Sequence, residues 1–198
     1  MNSHSMKILG IYGSPRKEGN TSLLLRECLK GAQEKGAFTT ELFVCDKQIN
    51  PCIEDYSCAR TGQCCLKDEM QDIYLQLIEH DQIIVAAPIF FYSVNAQTKA
   101  LIDRCQAFWS RKYLLKHPLG SGAKKKGVFI SVGATKGAKL FDGVLLTMRY
   151  FFDVIDAEFY SKLLFRNIDA SGDILTHPTA LRDAYELGLS LAVIQDHH

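Results

Sequence analysis

The stretch Ile83-Ile84-Val85-Ala86-Ala87 carries no polar side chain and no alternation of apolar with polar positions. A strand with one wet face alternates, whereas a strand covered by helices on both faces reads as an unbroken apolar run. The stretch therefore predicts a strand over 82–87, central in a parallel sheet sandwiched between helices. Outward from it, apolar and β-branched runs predict strands over 7–12, 39–44, 127–132 and 158–165. Helical spacing fills the intervals at 21–35, 68–79, 96–109 and 141–155, with a last helix over 176–195. Right-handed crossovers turn this β-α order into a doubly wound α/β fold. Such sheets bind ligands at the carboxyl ends of their strands, which singles out the loops after strands one, three and four. Two longer connections, 45–67 and 166–175, fit as excursions within a single domain, 1–198.

Composition narrows the class. With 23 Lys plus Arg against 22 Asp plus Glu, the +1 charge gives no long-range field that would draw in nucleic acid or an anionic bilayer. The longest apolar run, 83–92, is interrupted by Pro88 and falls short of the roughly 18 to 20 residues that span a membrane. Residues 1–5, followed by a second methionine at Met6, lack the apolar stretch of a secretion signal and read as an appended remnant. Seven cysteines, an odd number with no export signal, point to a reducing, cytoplasmic setting. His4, His80, His117, His177, His197 and His198 share no ligand spacing with the cysteines and read as surface residues.

After the first predicted strand comes Gly13-Ser14-Pro15-Arg16-Lys17-Glu18-Gly19-Asn20-Thr21-Ser22. A loop that opens a helix offers free amides and the positive end of the helix dipole, and here hydroxyls and cations stand beside them. The spacing matches neither a nucleoside triphosphate loop nor a dinucleotide fingerprint, so a single phosphate suits it better. The same residues also serve as a capped β-to-α turn. After the third strand, Pro88-Ile89-Phe90-Phe91-Tyr92-Ser93 places three consecutive aromatics at the mouth of the sheet, suited to a flat ring system, to a subunit interface or to core. On the next helix Gln97 and Lys99 read as a solvated face, while Asp103 and Arg104 are placed to anchor a neighbouring loop or subunit. Lys124-Lys125-Lys126 reads as the wet start of strand four.

Taken together, these loops resemble the flavodoxin-like NAD(P)H-dependent FMN reductases, including their iron-sulfur flavoprotein branch. The carriers are Gly13-Ser14-Pro15-Arg16 with Gly19-Asn20-Thr21, the run from Pro88 to Ser93 with Ala96 to Arg104, and a Cys-rich insert ending in Asp68-Glu69-Met70. The resemblance implies a five-stranded parallel sheet of order 2-1-3-4-5. It implies that Ser14, Arg16, Asn20, Thr21 and Ser22 hold the FMN phosphate, and that Pro88, Ile89, Phe90, Phe91, Tyr92 and Ser93 line the isoalloxazine. Gly133, Ala134, Thr135 and Gly137 would close over the other edge of the flavin. Lys136 either offsets charge near N1 or is a solvated loop residue.

What the resemblance implies about activity is an oxidoreductase with no catalytic triad. NAD(P)H reduces bound FMN, and a quinone, nitro- or azo-aromatic, free flavin or metal ion takes the electrons in a ping-pong cycle. The rival reading is an electron-transfer protein, like an iron-sulfur flavoprotein or a flavodoxin, without its own nicotinamide reductase activity. The balanced charge disfavours the flavodoxin-like carrier, which steers by acidity. A homodimer or homotetramer is implied, with Phe108, Trp109, Tyr113 and Phe151 as interface or core.

In the iron-sulfur branch the insert carries four cysteines spaced two, two and about five residues apart. Here the matching positions read Cys52, Asp55, Cys58 and Cys64, with Cys65 adjacent. Soft thiolates are the preferred ligands, so the carboxylate weighs against a cluster. Nor does the spacing match the paired knuckles of structural zinc sites. A structural role for the insert is the expectation.

Overall fold

The computed structural model describes residues 5–119 and 125–193. Lys124, three of the histidines (His4, His197 and His198) and the end of the predicted last helix lie outside them. Five strands, β1 (Lys7–Tyr12), β2 (Phe38–Phe43), β3 (Gln82–Ala86), β4 (Lys125–Gly133) and β5 (Ala157–Arg166), form one sheet ordered β2-β1-β3-β4-β5. Every neighbouring pair is parallel. The flavodoxin-like order expected from the resemblance is the order observed.

The apolar run at the centre explains why. In β3 and the residue that follows, Ile83, Val85 and Ala87 face one core, while Ile84 and Ala86 face the other, all essentially out of water. Burying each branched side chain contributes about 1.5–3 kcal/mol, so neither face can be left uncovered. Helices α1 (Asn20–Glu34) and α7 (Ala180–Leu191) cover one face. They cross so closely that a Cβ on Gly188 would lie 1.8 Å from the Cys28 carbonyl oxygen. The other face is covered by α3 (Met70–Glu79), α4 (Ala96–Arg104), α5 (Gln106–Trp109) and α6 (Asp142–Val154), while the short α2 (Cys58–Thr61) belongs to the insert. Among the described residues no helix is long and apolar enough to cross a membrane.

Several local expectations are corrected. The helix predicted over 96–109 is interrupted at Cys105, and the last helix begins at Ala180, after a 3-10 turn at Asp173–Thr176. Lys125 is not the wet start of a strand: its ammonium donates to the carbonyls of Leu77, Ile78 and His80, closing the carboxyl end of α3. Burial holds its pKa below the usual lysine range. His80 is buried between the Gln76 carbonyl and the Thr40 hydroxyl. His177 caps α7, its Nδ1 accepting from the Thr179 and Ala180 amides. Phe108 and Phe151 are core, whereas Trp109 and Tyr113 are part-exposed.

Candidate active site

The loop after β1 is fixed from within. The Arg16 amide donates to Ser14 Oγ at 3.1 Å, and the Gly19 amide and the Ser22 hydroxyl both donate to the Arg16 carbonyl at 3.0 Å. A Cβ on Gly19 would stand 3.0 Å from that carbonyl and 3.1 Å from Ser14 Oγ, tighter than an ordinary contact, so the absence of a side chain there eases the curl. Gly19 is also the N-cap of α1, no side chain caps that end, and no acidic residue occupies the first turn. The first-turn amides therefore remain open to an anion. Thr21 and Ser22 are buried, and the Arg16 side chain is exposed.

Asn20 takes a part that the sequence did not announce. Its Nδ2 donates to the Ala170 carbonyl at 2.8 Å, and its Oδ1 accepts from the Gly172 and Ile174 amides at 3.0 and 3.2 Å. All three bonds tie the start of α1 to the loop after β5. The side-chain amide is thus spent on positioning that loop, leaving the backbone N–H of Asn20 for a ligand.

A cleft of about 390 Å³ opens between these loops. Of the residues expected there, Ser14, Arg16, Asn20, Thr21, Pro88, Ile89, Phe90, Gly133 and Ala134 line it. Ser22, Phe91, Tyr92, Ser93, Thr135 and Gly137 are not among its lining residues. The wall also includes Ile168, Asp169 and Ser171, which sequence reasoning placed only in a long excursion.

The aromatic loop departs from expectation for a backbone reason. Phe90 and Ser93 exchange two backbone hydrogen bonds of 2.9 Å, closing a two-residue turn with φ of +47° at Phe91 and +63° at Tyr92. Turns of this kind favour Asn-Gly, and a bulky residue in the left-handed region costs about 1–3 kcal/mol. The turn swings the Phe91 ring fully into water, at 101% exposure, while Phe90 stays at the cleft. It rests on α6: a Cβ on Gly143 would lie 2.8 Å from the Tyr92 carbonyl oxygen.

Beside the cleft the Cys-rich insert forms a second hollow of about 480 Å³, lined by Cys52, Asp55, Cys58, Cys64 and Cys65 together with Arg104 of α4. Arg104 is 1% exposed and is the anchor of the insert. Its guanidinium makes a bidentate pair with Asp68 at 2.7 and 3.1 Å, donates to the Asn50 carbonyl at 2.9 Å, and places Nε 3.2 Å from Cys64 Sγ. Burial pushes the Asp68 carboxyl up, but Arg104 and the Asn50 and Met70 amides outweigh it and hold the group at about 2. Asp103, expected to share the anchoring, instead pairs with Lys99 on the surface of the same helix.

A sequence model of the NADPH-dependent FMN reductase family matches residues 6–154. The chain belongs to this family. An iron-sulfur flavoprotein of Methanocaldococcus jannaschii is 40% identical over 131 residues, 66% of this chain and 64% of that protein. The chain thus spans less than two thirds of that relative's length. Among solved structures, an NAD(P)H:quinone oxidoreductase from Methanothermobacter marburgensis superposes with a TM-score of 0.71 at 15% identity, covering 98% of this chain and 100% of that one. An FMN-dependent NADH-azoreductase from Bacillus anthracis, solved in complex with FMN, gives 0.70 at 14%, covering 95% and 100%. At such identities these two share the fold.

The cofactor of the family fits the cleft. Open amides at the start of α1, the glycine curl and the Arg16 cation suit a phosphate, and Pro88 to Phe90, running alongside Val132 and Gly133, line with Ala134 a cleft suited to a planar ring. The donor set of the insert suits an iron-sulfur cluster poorly, since Asp55 puts a hard oxygen where the pattern calls for a soft thiolate.

Proposed function

We propose that this reductase-family chain passes electrons from NAD(P)H through bound FMN to a small diffusible acceptor. The observation that carries the reading is the single cleft, in which an uncapped helix start and the Pro88–Phe90 segment meet across the carboxyl edge of the sheet. The flavin, when bound, accepts hydride and passes electrons onward. The chain supplies the rest. Arg16, Ser14 and the first-turn amides of α1 grip the phosphate. Pro88, Ile89 and Phe90 hold one side of the ring, and Gly133 and Ala134 allow the backbone close to the other.

Because the cleft stays open toward the exposed Phe91 and Tyr92, one planar molecule after another can reach the same face. That suits alternate visits by a nicotinamide and by an acceptor such as a quinone, a nitro- or azo-aromatic, free flavin or a metal ion. A dimer or tetramer that covers Trp109 and Tyr150 fits these exposed rings, which line one shallow surface on α5 and α6. The free cysteines suit a reducing compartment.

Steady-state NADH and NADPH oxidation by the FMN-loaded protein tests the proposal. Parallel lines in double-reciprocal plots with a quinone acceptor are expected. If neither nicotinamide reduces the bound flavin, the chain is an electron carrier and the enzyme reading fails.

A further inference from the structure

The iron-sulfur relatives and the donor set of this chain disagree, and the disagreement reaches beyond the flavin chemistry. We propose that the Cys-rich insert is a metal-free cap, locked to α4 by the buried Arg104–Asp68 ion pair, with its cysteines serving the fold rather than a cluster. Three observations carry this.

The first is the identity of the donors. Where the cluster pattern calls for its second thiolate the chain has Asp55. A hard oxygen donor weakens a site built for soft thiolates.

The second is where the remaining sulfurs are engaged. Cys64 lies 3.2 Å from Arg104 Nε, and Cys58 accepts from the Ser110 hydroxyl at 3.6 Å. Although Cys52, Cys58, Cys64 and Cys65 line one hollow, no three donors among the described residues are grouped so as to hold a metal ion.

The third is that the insert is already held. In metal-organised loops the binding energy of the ion is the folding energy. Here the Asn50 amide and the Arg104 guanidinium both reach Asp68, the Gln48 amide and the Lys47 ammonium both reach Glu69, and the Asn50 carbonyl accepts from Arg104. The first part of the insert, residues 47–50, is thus stitched to the start of α3 and to α4 without an ion. Removing one partner of so buried a pair strands the other charge, so loss of either side chain breaks the lock.

The test measures iron and sulfide per chain and the visible spectrum of protein purified without oxygen, before and after reconstitution with ferrous iron and sulfide. Flavin bands alone, substoichiometric iron, and a melting temperature unmoved by a strong chelator are expected. Stoichiometric iron and sulfide in the wild type, or a melting temperature lowered by the chelator, overturns the proposal. Asp55→Cys treated in parallel is expected to take up more iron than the wild type. The lock is read separately, by the rate at which a thiol reagent labels the insert: Asp68→Asn should raise it several-fold at unchanged pH. Unchanged labelling in a folded Asp68→Asn protein overturns the lock, and if that variant does not fold, the wild-type iron and chelator measurements still decide. None of these readouts depends on which acceptor the flavin serves.

Discussion

Asn20 and Ala170 lie 150 positions apart in sequence and are joined by a 2.8 Å hydrogen bond at the floor of the cleft. The same side chain accepts from two amides of the loop after β5, so one residue fixes the distance between the phosphate-side loop and the far wall. Asn20→Ala leaves the buried Ile174 amide, the part-buried Gly172 amide and the Ala170 carbonyl without their partner. Each such group costs about 1–3 kcal/mol, reduced where water can enter. We expect a loss of about 2 kcal/mol in denaturant unfolding together with weaker FMN retention. Full stability with unchanged flavin affinity would show that the loop after β5 holds its place by packing alone.

Arg16 stands in contrast, since its side chain is exposed and makes no hydrogen bond or ion pair with the described residues. Arg16→Ala should leave the apo-protein's unfolding midpoint unchanged and weaken FMN by about tenfold, the order expected for one hydrogen bond to a charged group. Raising the salt concentration should narrow the gap between the two proteins. A flavin titration in which the variant matches the wild type would place the guanidinium away from the phosphate.

The sheet was legible because its signal is local: an apolar run such as Ile83–Ala87 states its own environment, and all five strands fall where such runs lie. Asp103 and Arg104 were legible only as a pair suited to anchoring, and of the two Arg104 alone takes that part. The cleft was readable on the two sides that carry phosphate and ring chemistry, and not on the third. Nothing near Ile168 or Ser171 signals a ligand, because their place depends on Asn20 reaching across the fold. Lys125 misled for a related reason, since a lysine that caps distant carbonyls looks in sequence like one bathed in water. The outward swing of Phe91 was hidden because Phe-Tyr is the opposite of what its turn prefers.

That mismatch predicts a stabilising double change. Replacing Phe91→Asn and Tyr92→Gly gives the turn the residues that adopt positive φ most readily, and removes rings that are mostly in water. The apo-protein should gain about 1–2 kcal/mol in denaturant unfolding, the strain of two left-handed residues less the entropy of the added glycine. If the rings serve as a platform for planar acceptors, kcat/KM for a quinone should fall while FMN affinity holds, the exchange of stability for activity seen at strained sites. A destabilised variant would mean that the rings hold the turn in place through contacts.

Acid should weaken the anchor of the insert. The folded-state pKa of Asp68 is depressed to about 2, below its ordinary value of 3.8, so the unfolded chain binds this proton more readily than the folded one. The pair with Arg104 therefore contributes its full stabilisation above about pH 4 and loses it as the pH falls toward 2. In Asp68→Asn that part of the pH dependence should be absent, and the protein should be less stable by about 3–5 kcal/mol at neutral pH, because Arg104 is left buried without its counter-charge. Urea unfolding of both proteins between pH 3 and 7 measures the difference between their stabilities, which should shrink toward the acid end. A gap that stays constant with pH would mean that the carboxylate titrates alike in the folded and unfolded chains, and that the insert is anchored by something other than this ion pair.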